Sequence, residues 1–220
     1  MASKNYNINS NLYVNNGQIV GGYSNTLANG ITKSSIVGGY SNSISASTTP
    51  NDGYSFIGGG KYNTIISDTT LNYTSNSILG GTNNTLKNSY TAEIVGGYNN
   101  YINGDGWINS IVGGYANIID TPSSGWGNFI AGGSYNEIKQ NTTYSFIGGG
   151  RNNWSAGDYS FVGAGNQGFN GAGGDYSGIV AGRSNGIVTG AHYSFIGTGE
   201  QTYIDRKSTR LNSSHVRTSR

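Results

Sequence analysis

The chain has 220 residues and a formal net charge of +2, and only 10% of its residues are charged. It contains 38 Gly and 17 Tyr but no Cys, which excludes disulfides, Cys-ligated zinc and thiol catalysis. No apolar run approaches the roughly 18 residues that a membrane-spanning helix needs, and low charge combined with many aromatics argues against ordinary disorder.

Residues 1–18 precede the first repeat and are predicted to form an N-terminal lead-in or cap. The segment from Met1 to Tyr6 lacks the apolar core of a secretory signal. If Met1 is the native start, this favours a protein that assembles in the cytoplasm over one that is exported.

Residues 19–204 are built from one recurring motif, Ile-x-Gly-Gly-x-x-Asn-x-Ile. Successive copies start 15 to 21 residues apart, and 17 is the commonest spacing. A fixed core joined by arcs of variable length is typical of a solenoid, whose loops tolerate insertions. Clean copies start at Ile19, Ile36, Ile57, Ile78, Ile94, Ile111, Ile130 and Ile179, and looser copies at Ile147, Val162 and Ile196.

Each motif predicts two short strands joined by a Gly-Gly corner. We expect the first Ile and the first Gly, two residues later, to share one face, because side chains alternate along a strand. The glycines allow a tight turn or a close approach between coils, and the Asn residues should stack into a ladder about 4.8 Å apart. Helices are excluded because each Gly would cost about 1 kcal/mol. The prediction is an all-β, parallel β-solenoid or β-roll of eleven short coils.

The two residues that flank the first Ile vary together. Where the preceding residue is Phe, the following one is Gly or Ala, and where the following one is Val or Leu, the preceding one is not aromatic. A packed surface would impose this exchange and solvent would not. We therefore expect this outer face to pack against another chain or against the far wall of the same coil, and thin coils favour a homotrimer. The Phe-bearing pairs are Phe56/Gly58, Phe129/Ala131, Phe146/Gly148, Phe161/Gly163 and Phe195/Gly197.

An extended form of the motif, Tyr-Ser-Phe-Ile-Gly-Gly-Gly, stands at Tyr54–Gly60 and Tyr144–Gly150. It resembles the repeats of trimeric autotransporter adhesin heads and, more closely, repeats of bacteriophage tail fibres and tailspikes. The resemblance covers residues 19–204 and implies a left-handed parallel β-roll that assembles as a homotrimer. This chain departs from the adhesin heads in its Gly-Gly and Asn, where they more often have Ala-Ile-Gly and Ala, and in its irregular spacing.

Three polar residues, Asp158, Asp175 and His192, each lie four residues before a motif and 17 residues apart. Stacked coils would place them in one column. Such a column could be a cation site, or an acid pair of the kind that retaining glycosidases use. The alternative is a solvated turn, where short polar residues are favoured. Earlier coils have Gly53 and Thr143 at this position, so the column is local.

A second set of candidates is aromatic. Tyr rings at one motif position and Trp rings in the longer arcs, next to many Asn side chains, suit the binding of sugar rings by stacking and amide hydrogen bonds. The alternative is that the Tyr residues pack between coils or chains. The candidates are Tyr23, Tyr40, Tyr98, Tyr115, Trp107, Trp126 and Trp154. No catalytic constellation or cofactor motif is present, so the chain is predicted not to be an enzyme.

Residues 205–220 contain five of the twelve Lys and Arg and neither Gly nor Tyr. The eleven residues from Asp205 to His215 resemble a translated DNA sequencing adapter. We therefore expect a non-native, disordered tail and a native sequence that departs from this one near Ile204. Without the tail, Lys plus Arg falls from 12 to 7 and Asp plus Glu from 10 to 9, so the net charge becomes −2. The basic balance that would favour nucleic-acid binding is then lost.

The leading functional hypothesis is a structural or receptor-binding segment of a phage tail fibre or similar virion fibre. Its predicted partners are copies of itself and a polysaccharide or protein on the host surface, with no nucleic acid and no membrane insertion. The alternatives are the head of a bacterial cell-surface adhesin, and the solenoid of a capsule depolymerase whose active site lies elsewhere. An ice-binding solenoid would need a regular Thr array, which the irregular residues after each motif Asn do not provide.

Overall fold

The computed structural model describes residues 12–14, 17–28, 31, 33–46, 53–67, 74–104, 106–122 and 125–205. These residues form a parallel β-solenoid without any helix, in which successive strands alternate between two sheets. The predicted fold class is therefore confirmed. The predicted tail from residue 206 onward lies outside the described residues.

The first sheet contains the leading strand of every coil. Its strands pair in parallel, except that β1, which precedes the first motif, runs antiparallel to β2. In order across the sheet they are β1 (Leu12–Val14), β2 (Gly17–Ile19), β4 (Ser35–Ile36), β6 (Phe56–Ile57), β8 (Ser75–Ile78), β10 (Thr91–Ile94), β12 (Trp107–Ile111), β14 (Phe129–Ile130), β16 (Phe146–Ile147), β18 (Phe161–Val162), β20 (Gly178–Ile179) and β22 (Phe195–Ile196).

The second sheet contains the strand that follows each motif Asn, and all its strands are parallel. They are β3 (Thr26–Leu27), β5 (Ser43–Ala46), β7 (Thr64–Ser67), β9 (Thr85–Lys87), β11 (Tyr101–Asn103), β13 (Ile118–Asp120), β15 (Glu137–Ile138), β17 (Trp154–Ser155), β19 (Phe169–Asn170), β21 (Gly186–Ile187) and β23 (Tyr203–Ile204).

Equivalent motif residues stack directly on one another whatever the length of the intervening arc. Ile36 pairs with Ile57 and Ile57 with Ile78, although each step spans 21 residues. The side chains at the two ends of the motif point inward, and Ile57 and Ile65 are fully buried. Two aliphatic stacks therefore fill most coils, with Ser155 and Asn170 in place of the second aliphatic side chain in two of them. Burying each aliphatic side chain contributes about 1.5–3 kcal/mol.

The two glycines of the corner have different roles. The second one, such as Gly97 with a φ of +90°, is left-handed, and a Cβ there would lie 2.3 Å from the carbonyl oxygen of Gly114 in the next coil. The first one, such as Gly96, would place a Cβ with nothing within 4 Å. The expectation that this first Gly shares the inner face with the Ile was wrong, because the strand ends at the Ile and its alternation stops there.

Candidate functional site

The motif Asn residues form a buried column along the rod, in which Gly168 and Thr202 replace Asn in two of the last coils. Asn117 is typical: its Nδ2 donates to the carbonyls of Gly113, 2.9 Å away in the same coil, and Gly133, 3.1 Å away in the next. Its Oδ1 accepts the backbone N–H of Asn136 at 3.0 Å. The predicted Asn ladder is therefore present, but mostly through bonds to the backbone. Because these amides are occupied by the scaffold, they are not free to bind a ligand.

A second buried column, which the sequence pattern did not reveal, lies two residues before the first Ile and is Ser or Asn in all but two coils, which have Gly17 and Ala92. Ser145 is typical, since its N–H donates to Asn128 Oδ1 at 3.0 Å and its Oγ donates to Gly157 O at 2.7 Å. The alternation of one buried polar and one buried aliphatic residue in the strand was its only signal. These Ser and Asn side chains hold the arc of the next coil and are structural.

The structure brings Asp158, Asp175 and His192 together as the spacing predicted. The Asp158 carboxylate accepts the backbone N–H of Thr143 at 2.8 Å, and the Asp175 carboxylate accepts that of Asp158 at 2.9 Å. His192 Nδ1 lies 3.4 Å from Asp175 Oδ2. Each carboxylate thus links its own turn to the preceding coil, which supports the interpretation as a turn. Within the described residues, no group of three or more His, Cys, Asp and Glu is placed to hold a metal ion.

The four candidate Tyr residues form two separate pairs. The rings of Tyr23 and Tyr40 stack at 5.3 Å, and those of Tyr98 and Tyr115 at 5.4 Å. Lys61 and Thr82 occupy the same column between the pairs. Because each ring covers a face of its partner, stacking on a sugar is restricted to the outer faces and edges of each pair.

The three Trp residues lie at two places. Trp107 stacks on Tyr90 at 5.1 Å and is 6.3 Å from Trp126, and both Trp rings are 48% exposed. Trp154 lies further along the rod in β17, where it stacks on Phe169 at 5.0 Å. The Nζ of Lys139 is 4.4 Å from the centre of the Trp154 ring, so this indole has a neighbour on either side.

The outer face of the first sheet is formed by the residues that flank each first Ile. The Phe rings there lie over the small residue that follows the Ile: a Cβ at Gly148 would be 3.1 Å from the Phe146 ring, and one at Gly163 would be 3.0 Å from the Phe161 ring. This contact explains the exchange seen in the sequence, because Val and Phe compete for the same space. The face is not packed against the far wall of its own coil: Val112 is 42% exposed and Phe195 65% exposed.

Aromatic columns are concentrated in the last coils. Phe129, Phe146 and Phe161 stack at 5.5 and 5.4 Å on the first sheet. Beside them runs an exposed ladder of Tyr rings with spacings of 4.9 to 5.2 Å, which consists of Tyr144, Tyr159, Tyr176 and Tyr193. The sequence pattern pointed to the Phe column but not to this Tyr ladder, although Tyr precedes Ser and Phe or Gly in each of these coils.

One residue before each motif Asn is left-handed in every described coil, with φ between +51° and +60°. Non-glycine residues seldom adopt this conformation, and Asn is the most tolerant of it. The chain nevertheless places Tyr62, Ala116 and Gln167 there. The conformation turns these side chains outward at the edge of the second sheet, where a ligand can reach them.

A groove of about 470 Å³ opens beside this edge near the C-terminal end of the rod. One side carries aromatic side chains from the outer face of the second sheet, and the other carries amides and a hydroxyl from the left-handed positions. Ser184 Oγ donates a hydrogen bond to Gln167 Oε1 in the adjacent coil, at 3.1 Å. The lining residues are Asn152, Trp154, Gln167, Phe169, Ser184 and Tyr203. Of the predicted binding residues, only Trp154 belongs to this groove.

Two Tyr hydroxyls have perturbed acidity. Burial, followed by the negative charge of Asp120, raises the pKa of Tyr101, and a side-chain hydrogen bond with Tyr135 raises the pKa of Tyr115. Both phenols therefore stay protonated at neutral pH and can donate hydrogen bonds.

No protein-family model matches the chain, and no curated protein is significantly similar to it. Within the described residues, no helix is long and apolar enough to cross a membrane.

Proposed function

We propose that the chain is a structural and receptor-contacting segment of a virion fibre of the phage tail-fibre type. The observation that carries this proposal is the apolar outer face of the first sheet. Val and Leu side chains there are 37% to 45% exposed, and Phe161 and Phe195 are 41% and 65% exposed. Exposed apolar side chains that recur in successive coils mark an interaction site, and Gln18 and Glu93 are polar residues on the same face.

The occupant proposed for this face is a second and a third copy of the same chain. The face repeats in every coil, so along ten steps of the solenoid it extends roughly 48 Å. Three identical rods that lie parallel and in register can be related by a threefold axis along the rod. The outer face of the first sheet of each copy is then buried against the other two copies in every coil. The two aliphatic stacks already fill most coils, so the outer face is available for association.

Sedimentation equilibrium of the full chain tests this interface. We expect a trimer, and Val112→Lys should shift it to the monomer, because a Lys would be buried without a partner. The matched control is Ile118→Lys on the outer face of the second sheet, which should leave the trimer intact. If the wild-type chain is monomeric at every concentration tested, the proposed interface is wrong.

Contact with a host surface is tested by binding the chain to immobilised bacterial capsule and lipopolysaccharide. We expect the trimer to bind more tightly than the Val112→Lys monomer, because three linked sites raise the effective concentration. We also expect no release of reducing ends, since the carboxylates of Asp158 and Asp175 are held by backbone N–H groups. Release of reducing ends would contradict the prediction that this chain is not an enzyme.

A further inference from the structure

We infer that the C-terminal groove binds a neutral oligosaccharide, which lies along the rod axis between the aromatic side and the amide side. The inference rests on the proposed function, because it locates the contact with a surface polysaccharide on six residues: Asn152, Trp154, Gln167, Phe169, Ser184 and Tyr203.

The two sides of the groove match the two faces of a sugar. Tyr203 presents an exposed ring face, on which the C–H groups of a pyranose can pack. Trp154 and Phe169, which stack on each other at 5.0 Å, form the apolar wall beside it. Asn152, Gln167 and Ser184 present amide and hydroxyl groups, which can both donate to and accept from sugar hydroxyls. The Ser184 bond to Gln167 Oε1 directs the amide NH₂ of Gln167 away from Ser184, so that it can donate to a ligand.

The charges around the groove favour a neutral ligand. None of the six lining residues is Asp, Glu, Lys, Arg or His. Arg183, next to Ser184 in the chain, is paired with Glu200 at 3.1 Å, and Lys139, above Trp154, lies 3.9 Å from Glu137. Arg151, next to Asn152 in the chain and in the same column as Arg183, lies at the rim and is not a lining residue, so an acidic sugar inside the groove would meet no cation among the lining side chains.

The groove also differs from the other aromatic surfaces of the rod. In the Tyr ladder, neighbouring rings are nearly parallel, with 2° between Tyr159 and Tyr176, so they cover each other's faces. In the groove, Gly186 interrupts the aromatic column, and Phe169 leans into the space where a Gly186 Cβ would lie, 2.2 Å from its ring. Tyr203 is tilted by 49° against Phe169 and is 55% exposed, which leaves ring surface for a ligand.

The length of the groove indicates more than one sugar unit. Its lining residues come from four successive coils, which begin at Ile147, Val162, Ile179 and Ile196. Three steps of about 4.8 Å give roughly 14 Å along the axis. The ligand is therefore expected to be a linear oligosaccharide aligned with the fibre.

Isothermal titration calorimetry of the full chain with linear neutral trisaccharides of glucose, galactose and mannose tests the site. We expect at least one to bind, and Gln167→Ala and Tyr203→Ala each to weaken it about tenfold, or roughly 1.4 kcal/mol. The left-handed backbone tolerates Ala at this position, since Ala116 occupies the equivalent one with a φ of +52°. Tyr203→Phe, which keeps the ring, should retain most of the affinity.

The matched controls lie just outside the groove. Gln201→Ala changes the residue that follows Ser184 in the left-handed column, and Tyr98→Ala removes an exposed Tyr ring from another part of the rod. Both variants should bind the trisaccharide like wild type.

The site is refuted if no neutral trisaccharide binds, if Gln201→Ala weakens binding as much as Gln167→Ala, or if only acidic saccharides bind. Gln167→Ala could lose trisaccharide binding but still form trimers that bind surface polysaccharide like wild type. That result would confirm the groove as a sugar site and show that it is not the main receptor contact. Trisaccharide binding by a chain that neither trimerises nor binds surface polysaccharide would instead refute the fibre proposal alone.

Discussion

The N-terminal coils, residues 17–122, and the C-terminal coils, residues 125–205, have nearly the same interior and different exteriors. Both repeat the left-handed Gly, the buried Asn and the inward Ile. On the outer face of the first sheet, the N-terminal coils have a single Phe, Phe56, between Ser35 and Ser77, whereas Phe129, Phe146 and Phe161 follow one another in the C-terminal coils. On the second sheet, Thr64 and Thr85 correspond to Trp154 and Phe169.

This difference shows that a solenoid separates the residues that specify the coil from those that specify its surface. Every inward or corner residue must fit the coils above and below it, because equivalent atoms stack in register. The outward residues meet only their neighbours in the same column. A binding surface can therefore change along the rod without a change in the backbone.

The largest expected effect tests whether the interiors are equivalent. Gly97→Ala in the N-terminal coils and Gly150→Ala in the C-terminal coils should each cost about 3 kcal/mol or more, because the Cβ would meet a carbonyl oxygen of the next coil at 2.3 and 2.1 Å. The adjacent Gly96→Ala and Gly149→Ala, whose Cβ atoms would meet nothing within 4 Å, are the controls and should be nearly neutral. Urea unfolding, with hydrogen exchange to locate the affected coils, measures both. If a control lost as much unfolding free energy as the adjacent Gly→Ala variant, the different roles assigned to the two glycines would be wrong.

Substitutions to Ala at one interior position, the second aliphatic position of the motif, should change the free energy of unfolding in opposite directions in the two regions. Ile65→Ala should cost about 2–5 kcal/mol, because it leaves a cavity in the aliphatic stack. Ser155 occupies the equivalent position, and its buried Oγ has no hydrogen-bond partner among the described residues. Ser155→Ala should therefore stabilise the C-terminal coils by about 1 kcal/mol. Thermal unfolding distinguishes the two, and destabilisation by Ser155→Ala would indicate that the hydroxyl has a partner.

A smaller effect is expected on the exterior. Tyr159→Ala removes stacking with Tyr144 at 5.2 Å and Tyr176 at 4.9 Å, and should cost about 1–2 kcal/mol. Tyr54 has the equivalent position in an N-terminal coil, where its ring faces Lys33 Nζ at 5.3 Å. Tyr54→Ala should cost about 0.5 kcal/mol, as expected for an exposed cation–π contact. Similar losses at both sites, measured by denaturant unfolding, would mean that the ladder adds no stability.

The smallest effect concerns the left-handed column. Ala116→Asn should stabilise the N-terminal coils by about 0.5 kcal/mol, because Asn adopts positive φ more readily than Ala. Asn83 Nδ2 donates a hydrogen bond to Asn99 Oδ1 at 2.7 Å in the same column. An Asn side chain at position 116 would add a second bond of this kind, with Asn99. Ala116→Val, with a β-branched side chain, is the control and should destabilise. A thermal shift assay resolves the difference in sign.

The sequence by itself determined the period, the two-strand coil, the all-β parallel solenoid and the presence of an Asn ladder. It could do so because stacking in register forces the same residue type into each equivalent position, which leaves a repeat visible in one chain. It also indicated the Phe and Val exchange, since one ring or one branched side chain fills the space beside each first Ile.

Only the tertiary structure decided how the surface residues are arranged. It showed which Gly of each pair is constrained, because that depends on the carbonyl of the next coil. It showed that the Tyr rings cover one another, and that the Phe face points outward rather than against its own coil. The groove between Trp154 and Tyr203 is built from four coils. The motif did not reveal it, because the residue types at its two motif positions differ from coil to coil and meet only when the coils stack.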